Sequence, residues 1–534
     1  MKNKRLKQEI FRMGNIYLLD CTLRDGGYVN DWRFGEDTIK GFGKKIAMTG
    51  IKYYEVGFLK GDSYDPDIAK FPTVESFKNV ILPKSPDLIY VGMLDMSAPV
   101  ALESIPPYDG TSIDMIRVIF KKNKADEAYV YCKKILELGY KLSVNFVGTD
   151  SYTDSEFIDG ILRFNELQPD AMAIVDTFGL IKKKQFLRLV YLADNNMAPG
   201  IALCYHGHNN LQQAFGNAES LVELNLKRDV CIDACVFGMG RGAGNLNLEL
   251  IAEYMNENYD TEYRIEPMLQ IMDEYLKEFY TSKFWGYSLP LYLSASCHCH
   301  PNYAIYLEEK NSLTVKSFNE LLNNIPDCDK ASFSKEKAEK YYREYQENYI
   351  DDKKTVDSLS EAFGDKDILI LAPGKSLNDN MDKISAIAAD AVTIAVNFCG
   401  GSVTPDYVFS SNMRRFAKMI GKTSAKTIIT SNIKEAEGDY KVNFSSYSST
   451  KPEIIDNSAL MLMKLLMAAG VKNVLVAGMD GYSAVNTTDY FDANVDYDFS
   501  AEAELRNELI SAEIRDIKKH MNVEFVTPTN YEIS

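Results

Sequence analysis

Eight short apolar runs, each separated from the next by a stretch that could hold a helix, dominate residues 16–245. Strand-like and helix-like segments that alternate in this number are typical of parallel strands joined by crossovers. Eight units in about 230 residues match the size of a (β/α)8 barrel, and an open doubly wound sheet is the alternative. The predicted strands are Ile16–Asp20, Tyr53–Phe58, Leu88–Leu94, Met115–Phe120, Lys141–Gly148, Met172–Asp176, Ile201–His206 and Cys231–Phe237.

Polar side chains fall within and just after these apolar runs, at the end of the barrel where chemistry is expected. A polar residue inside an otherwise apolar strand costs free energy unless it is paired, so the clustering indicates a functional site. The eighth run leads into a glycine-rich stretch, residues 238–245, which we expect to pack tightly against that site. We expect substrate contacts from Arg117, Asn145, Asp176 and Thr177.

One acid follows the first predicted strand, and two histidines end the seventh. His206 and His208 are one residue apart, so they point to the same face of their strand. A barrel brings them near Asp25, because only the eighth strand separates the first from the seventh. A carboxylate and two imidazoles suit a divalent cation with open coordination positions. Asn245 would supply a fourth oxygen ligand or a hydrogen bond to another ligand.

Arg24 stands directly before this acid, and two interpretations are open. In the first, its rigid cationic fork stabilises negative charge on an enolate oxygen of the substrate. In the second, it forms an ion pair with Glu55, which lies in the second predicted strand. The two interpretations are compatible with each other.

The remainder of the chain predicts two further segments. Residues 266–350 are mainly helical, and they cover the barrel or mediate self-association into a homo-oligomer. A polar boundary near 350–365 follows, and residues 366–534 alternate again between strands and helices. This pattern predicts a smaller, doubly wound, Rossmann-like domain. The strands predicted here are Ile368–Ala372, Val392–Asn397, Tyr407–Ser410, Thr427–Thr430, Val474–Ala477 and Val523–Val526.

A glycine turn follows the first strand of that second domain. The sequence Gly374-Lys375-Ser376 lacks the first glycine of a Walker motif, because position 369 is leucine. A strand, a glycine turn and a helix in succession still present backbone N–H groups to a phosphate. The candidate ligand is a nucleotide or nucleotide-sugar bound at these three residues, and a plain tight turn is the alternative.

Composition excludes several classes of partner. The net charge of −17 argues against nucleic acid, which needs clustered lysine and arginine. No run approaches 18 apolar residues, so no membrane span is expected. Nine dispersed cysteines without an export signal indicate reduced thiols and a cytoplasmic location.

Three stretches resemble the hydroxymethylglutaryl-coenzyme A lyase-like superfamily, the DRE-TIM metallolyases. They are residues 20–27 (DCTLRDGG), 206–210 (HGHNN) and 238–245 (GMGRGAGN). The nearest resemblance within it is to the 4-hydroxy-2-oxovalerate aldolases. It implies a metal-dependent (β/α)8 barrel that makes or breaks a C–C bond next to a carbonyl. The second domain more weakly resembles archaeal pterin pyrophosphokinases and sialyltransferase-type folds.

The resemblance also implies roles for single residues. Arg24 matches the arginine that stabilises the enolate, Glu55 stands where the lyases place a catalytic acid, and Tyr303 matches an active-site tyrosine of the aldolases. Mn²⁺ or Mg²⁺ is the expected metal, with Zn²⁺ or Co²⁺ as alternatives. The metal ligands implied are Asp25, His206, His208 and, as in some members, Asn245.

The sequence departs from the aldolases at one position. Tyr28 stands where they carry a histidine that handles protons, and a tyrosine with a pKa near 10 is a poor base at neutral pH. The expected activity is therefore cleavage or formation of a C–C bond in a 4-hydroxy-2-oxo acid, with the proton taken by Tyr28, Glu55 or a metal-bound water. The alternatives are condensation of a 2-oxo acid with an acyl-coenzyme A, and a barrel that serves as a scaffold for a nucleotide-sugar enzyme.

Overall fold

The computed structural model describes residues 14–485, 490 and 499–532. The chain divides into two compact units, one ending at Pro301 and the other beginning at Asn302. None of the helices in this described part combines the length and the apolarity needed to cross a membrane.

These units divide the chain differently from the domain bounds suggested by the sequence. The predicted barrel, residues 14–265, lies within the first unit. The predicted Rossmann-like domain, residues 366–534, lies within the second unit together with the helices that precede it. The predicted helical segment, residues 266–350, is split between the two.

The first unit contains a closed barrel of eight parallel strands, which confirms the predicted fold. The sheet closes because β1 pairs with both β9 and β2. The two-residue β3, which the sequence did not predict, pairs with the carboxyl end of β2. The strands are β1 (Ile16–Asp20), β2 (Tyr53–Leu59), β3 (Lys70–Phe71), β4 (Ile89–Asp95), β5 (Met115–Phe120), β6 (Lys141–Phe146), β7 (Ala171–Asp176), β8 (Ala202–Gly207) and β9 (Val230–Ala234).

Most of the crossovers between these strands contain a helix. One exception is the connection from β4 to β5, where a short 3-10 turn at Leu102–Ser104 takes the place of a helix. The α-helices of this unit are Thr22–Asp25, Glu36–Ile46, Lys78–Ile81, Ala125–Glu137, Asp154–Asn165, Lys183–Asn196, Ala214–Glu223, Leu248–Asn258, Ile265–Ile271, Lys277–Ser282 and Leu289–Ser296.

Local sequence explains these helices. Asp154–Asn165 begins with a capping box, in which the Thr153 side chain accepts from the Glu156 N–H and the Glu156 carboxylate accepts from the Thr153 N–H. Phe157, Ile161 and Phe164 follow at spacings of four and three, so they share the face that is buried against the strands. The capping box therefore determines where the helix begins, and the buried apolar face stabilises it against the barrel.

Alternate residues of each strand point into the barrel, so the interior consists of layers of side chains two residues apart. Leu19, Met115, Ala173, Cys204 and Cys231 are among the buried residues of one small apolar cluster. Two residues further along β5, β8 and β9 stand the polar side chains of Arg117, His206 and Asp233. Successive side chains alternate between the two faces of a strand, so these groups lie one layer above the apolar cluster, toward the carboxyl ends of the strands.

The second unit contains a sheet of seven parallel strands in the order β14-β13-β12-β11-β10-β15-β16. The order reverses between β10 and β15, which is the topological switch point of a doubly wound sheet. The sequence predicted six of these strands and missed β14. The strands are β10 (Ile368–Leu371), β11 (Val392–Val396), β12 (Tyr407–Ser410), β13 (Lys426–Thr430), β14 (Tyr440–Val442), β15 (Asn473–Ala477) and β16 (Asn522–Phe525).

Helices surround this second sheet and also precede it. The helix Ser458–Ala468 is a deeply buried example, because eight of its eleven residues are buried. The other helices beyond residue 300 are Pro301–Glu309, Val315–Asn324, Asp327–Lys330, Lys335–Gln346, Lys353–Phe363, Ser376–Asp379, Met381–Ala388, Met413–Met419, Phe444–Tyr447 and Ala503–Ile517.

We expect Gly57→Ala to destabilise the barrel. A Cβ at this position in β2 would lie 2.3 Å from the carbonyl oxygen of Ala69 and 2.8 Å from the Phe71 ring. Overpacking of this kind costs about 2 kcal/mol of unfolding free energy. Urea unfolding followed by tryptophan fluorescence reports on this unit, because Trp32 and Trp285 are the only tryptophans.

Gly216→Ala is the matched control. A Cβ there meets no atom within 4 Å, and the position lies in the helix Ala214–Glu223. Alanine favours a helix over glycine by about 1 kcal/mol, so this variant should be as stable as the parent or more so. Equal losses of stability in both variants would contradict the packing argument for β3 against β2.

Candidate metal centre

Asp25 reaches the barrel mouth on a helical turn that follows β1. The chain leaves the strand at Asp20 and forms the short helix Thr22–Asp25, so Arg24 turns inward as well. The Trp32 indole N–H donates to the Arg24 carbonyl oxygen at 2.6 Å, and the Val236 N–H donates to the Thr22 hydroxyl at 2.8 Å. These contacts fix the turn that presents both charged side chains.

The two histidines are oriented through their Nδ1 atoms. His206 Nδ1 lies 3.1 Å from Asp233 Oδ2, and His208 Nδ1 lies 3.0 Å from the Asp176 carbonyl oxygen. Both partners only accept hydrogen bonds, so each Nδ1 carries the proton. The Nε2 atoms are therefore the ligand atoms in the neutral rings.

The predicted acid and both histidines converge. Asp25 Oδ2 lies 3.5 Å from His206 Nε2 and 3.0 Å from His208 Nε2. One ligand atom from each residue lies within 4.8 Å of the other two, and all three residues are buried. Strands β1 and β8 flank β9, as the barrel prediction required.

The polar atoms left without partners fit a cation. Asp25 Oδ2, His206 Nε2 and Asn245 Oδ1 are buried and have no hydrogen-bond partner among the residues that the structure describes. Asn245 is held beside the histidines, because residues His208 and Asn245 form an antiparallel bridge and Asn245 Nδ2 donates to the Met239 carbonyl oxygen at 3.0 Å. Carboxylate oxygen, imidazole nitrogen and amide oxygen together suit a divalent metal ion.

A network of alternating charges lies beneath this cluster. Arg24 donates to Asp25 Oδ1 at 2.8 Å and to Glu55 Oε2 at 2.6 Å. Arg117 links Glu55 Oε1, at 3.3 Å, to Asp233 Oδ2, at 2.5 Å. Three carboxylates and two guanidinium groups leave one negative charge, which a divalent cation would convert to one positive charge.

This network decides the charge of the ligand residues. Burial alone raises the pKa of Asp25, but Arg24 and His208 outweigh it and hold that pKa well below its usual value. Burial lowers the pKa of His208. For His206, burial also acts to lower the pKa, but the nearby carboxylates of Asp233 and Asp25 raise it well above its usual value. Asp25 is therefore an anion at neutral pH and attracts a cation.

Sequence reasoning missed Asp233, which connects a metal-ligand histidine to Arg117. The sequence could have identified Asp233, because it is a charged residue within the apolar run Val-Cys-Ile-Asp-Ala of β9. The same signal had identified Glu55 and Arg117. A carboxylate that orients a ligand histidine is a common partner in metal sites.

Glu55 lies within β2, in the charge network beneath the cluster. Both of its carboxylate oxygens accept from guanidinium groups, so the ion pair with Arg24 expected as an alternative is present. A catalytic role for this carboxylate stays a prediction.

The other predicted substrate residues already have protein partners. Asn145 Oδ1 accepts from the Ser143 hydroxyl at 2.8 Å, and Thr177 Oγ1 accepts from the Gly148 N–H at 2.8 Å. The Asp176 carboxylate accepts from two backbone N–H groups that follow β7. Their contacts with a substrate stay predictions.

The two predicted tyrosines lie in different units. Tyr28 lies three residues after Asp25, and the guanidinium of Arg241 lies 3.8 Å from its ring centre. Tyr303 belongs to the second unit, where its buried hydroxyl lies 3.3 Å from the Asp329 carbonyl oxygen and 3.2 Å from that of Ser332. The role proposed for Tyr303 in the barrel site stays a prediction.

The predicted phosphate loop of the second unit is closed by an acid. The Ser376 N–H donates to Asp480 Oδ2 at 2.8 Å, and the Ser376 hydroxyl donates to Asp480 Oδ1. A Cβ at Gly374 would lie 2.3 Å from the Gly478 carbonyl oxygen, so this glycine allows the close approach of the two loops. Two donors expected to face a phosphate are thus already satisfied.

Comparisons with known proteins agree with this geometry. Residues 15–273 match the HMGL-like family. This part of the chain is similar to HMGL-like proteins. An oxaloacetate decarboxylase of Mycobacterium tuberculosis is 23% identical over 236 residues, 44% of this chain and 68% of that protein. A 4-hydroxy-2-oxovalerate aldolase of Geobacillus thermodenitrificans is 20% identical over 249 residues, 45% of this chain and 70% of that protein.

Solved structures that are similar to part of this chain include two bacterial proteins. The N-terminal domain of a suspected aldolase from Bacteroides vulgatus is 24% identical, with a TM-score of 0.47, over 55% of this chain and 96% of that one. The HMG-CoA lyase of Bacillus subtilis is 14% identical, with a TM-score of 0.40, over 50% of this chain and 94% of that one.

We expect Asp233→Asn to weaken metal binding without removing a ligand. The change removes the charge that orients His206 and leaves Arg117 with one carboxylate fewer. Loss of such an outer partner lowers metal affinity by about 10- to 100-fold. Competition between the protein and a chromogenic chelator for Mn²⁺ measures the effect.

Asp229→Asn is the matched control for this measurement. Asp229 immediately precedes β9, at the opposite end of the barrel, and its carboxylate accepts from the Asn15 N–H. The control should bind Mn²⁺ as tightly as the parent. Unchanged Mn²⁺ affinity in Asp233→Asn would show that the imidazole is positioned by other contacts.

Proposed function

We propose that the first unit is a divalent-metal-dependent lyase that cleaves or forms a C–C bond in a 4-hydroxy-2-oxo acid. The observation that carries the proposal is the convergence of Asp25, His206 and His208 in an HMGL-like barrel. Two similar proteins named above are a decarboxylase and an aldolase, and both names describe C–C cleavage next to a carbonyl. Mn²⁺ or Mg²⁺ is the proposed metal.

The ligand residues and Arg24 would act on the same part of the substrate. A divalent cation held by Asp25, His206 and His208, with Asn245 as a fourth ligand, supplies a Lewis acid for the substrate's oxo and carboxylate oxygens. Arg24 faces the same centre through its contact with Asp25 Oδ1, so its guanidinium stabilises negative charge that develops as the C–C bond breaks. Glu55 holds that guanidinium in place.

We assign Tyr28 the role of a proton donor rather than a base. Burial raises the pKa of Tyr28, although Arg241 acts in the opposite direction, so the hydroxyl is protonated at neutral pH. Among the described residues, its hydroxyl forms no hydrogen bond with the protein. A protonated phenol at the barrel mouth suits the step in which the enolate carbon regains a proton after cleavage.

The decisive test pairs metal analysis with a cleavage screen. Asp25→Asn should lose bound Mn²⁺ and at least about 1000-fold in turnover of 4-hydroxy-2-oxo acids, because the charged ligand is gone. Pyruvate release is followed with a coupled dehydrogenase. Asp62→Asn, at an exposed loop position, is the control and should keep both properties. Full activity in Asp25→Asn, or after chelation, would reject the proposal.

Product analysis distinguishes the related condensing reaction. The parent protein is given pyruvate with an aldehyde, or a 2-oxo acid with acetyl-coenzyme A, in separate reactions. We expect a 4-hydroxy-2-oxo acid in the first and no product in the second. The reverse result would assign the barrel to acyl-coenzyme A condensation.

For the second unit, we propose a separate site for a nucleotide or nucleotide-sugar. A solvent-open cavity with an empty volume of about 1000 Å³ lies at the carboxyl ends of β10, β11 and β15. Ligands of doubly wound sheets bind at this switch point. Cationic, aromatic and acidic side chains line it, a combination suited to phosphate, base and ribose: Lys310, Arg415, Arg506, Tyr482, Tyr531 and Asp456.

The nucleotide proposal is tested with neighbouring arginines. Arg415 lines the cavity, whereas Arg414 is exposed and donates to Asn311. Titration calorimetry with ATP and UDP-glucose should show at least 10-fold weaker binding for Arg415→Gln, because charge-assisted contacts to phosphate are lost. Arg414→Gln should bind as the parent does. Absence of binding of either ligand to the parent protein would reject the proposal.

A further inference from the structure

Arg241 lies at the mouth of the barrel and has no ionic partner in the part of the chain that the structure describes. Its guanidinium is stacked on the Tyr28 ring at 3.8 Å, and Tyr28 follows the metal-ligand turn at Asp25. Among residues 14–485, 490 and 499–532, no carboxylate forms an ion pair with Arg241 and no acceptor takes a hydrogen bond from its side chain. Stacking on an aromatic face leaves the N–H groups at the guanidinium edge available for an anion.

Backbone contacts hold Arg241 close to the metal ligands. The Gly244 N–H donates to the Arg241 carbonyl oxygen at 3.1 Å, and the Asn209 N–H donates to the Gly244 carbonyl oxygen at 2.9 Å. The Ala243 N–H donates to Asn210 Oδ1 at 2.9 Å. The loop that carries Arg241 is therefore bonded to the segment that directly follows His208.

A second cation lies at the same end of the barrel. Lys121 directly follows β5, is exposed, and forms no ion pair with any described residue. His300 feels both cations, because its pKa is lowered to about 3, first by burial and then by Arg241 and Lys121. The charges of both cations therefore reach one point of the mouth, where His300 remains neutral and adds no competing charge.

The mouth carries more positive charge than a simple 2-oxo acid can balance. With a divalent cation bound, the buried network holds one net positive charge, which matches the carboxylate next to the oxo group. Arg241 and Lys121 then remain without an anion. Of the acids described at this end, Asp95 lies 3.7 Å from Lys60, and burial raises the pKa of Asp150.

We infer that Arg241 and Lys121 bind a second anionic group of the substrate, so that the substrate class is a 2-oxo acid with a distal carboxylate or phosphate. This inference rests on the function proposed for the barrel. It makes Arg241 a residue that selects the substrate and leaves the metal ligands to the reaction common to all 2-oxo acids.

The test compares ligands that differ mainly in the distal group. Full-length Mn²⁺-loaded protein is titrated with 2-oxoglutarate, with phosphonopyruvate and with 2-oxohexanoate, whose chain end is neutral. We expect the parent to bind at least one dianion about 10-fold more tightly than 2-oxohexanoate, because charge-assisted hydrogen bonds are strong. Tight binding of only one dianion identifies carboxylate or phosphate as the distal group.

Two variants and a control test which residues cause the preference for dianions over 2-oxohexanoate. Arg241→Gln should abolish most of the preference, and Lys121→Gln should reduce it, with 2-oxohexanoate affinity and Mn²⁺ content unchanged in both. Lys227→Gln removes an exposed cation at the opposite end of the barrel and should change nothing. The preference should also fall as salt is raised, because the mouth is open to solvent.

Each contrary result has a distinct meaning. Equal affinities for dianions and 2-oxohexanoate in the parent, or equal weakening of all ligands by Arg241→Gln, would overturn the inference alone. Binding of no 2-oxo acid would overturn it together with the proposed substrate class. Selective binding of dianions without any C–C cleavage would support the inference and reject the proposed reaction.

Discussion

A buried carboxylate that keeps its charge is the constraint on which the first unit depends. Asp25 can stay ionised in the barrel because Arg24 contacts one of its oxygens and two imidazoles face the other. Arg24 is held by Glu55, and the chain of charges continues through Arg117. Removing any one of these groups would take one charged partner from its buried neighbours, which is costly.

The barrel supports such a network because its strands place apolar packing and charged side chains in different layers. Side chains alternate along each strand, so small apolar residues fill the lower interior and charged residues form the layer above them. Parallel pairing brings the carboxyl ends of all eight strands to one rim. The same arrangement recurs in the second unit, where the carboxyl ends of β10 and β15 border its cavity at the switch point.

The strands and the metal triad could be predicted because their signals are local. All eight barrel strands were apolar runs of ordinary length, and the ligand residues stood at their ends. The short strands β3 and β14 escaped prediction, because two or three residues carry no period and pair only where a longer strand offers an edge. The connection without a helix between β4 and β5 was likewise invisible, since its length alone permits one.

The sequence by itself determined the barrel, the second parallel sheet and the three residues of the candidate metal centre, because apolar periodicity and charged strand ends are properties of short segments. Only the tertiary structure decided which charges pair: that Arg117 meets Asp233, 116 residues away, and that Arg241 meets no acid among the described residues. Such pairing depends on barrel closure and on the register between strands, which no short stretch of chain encodes.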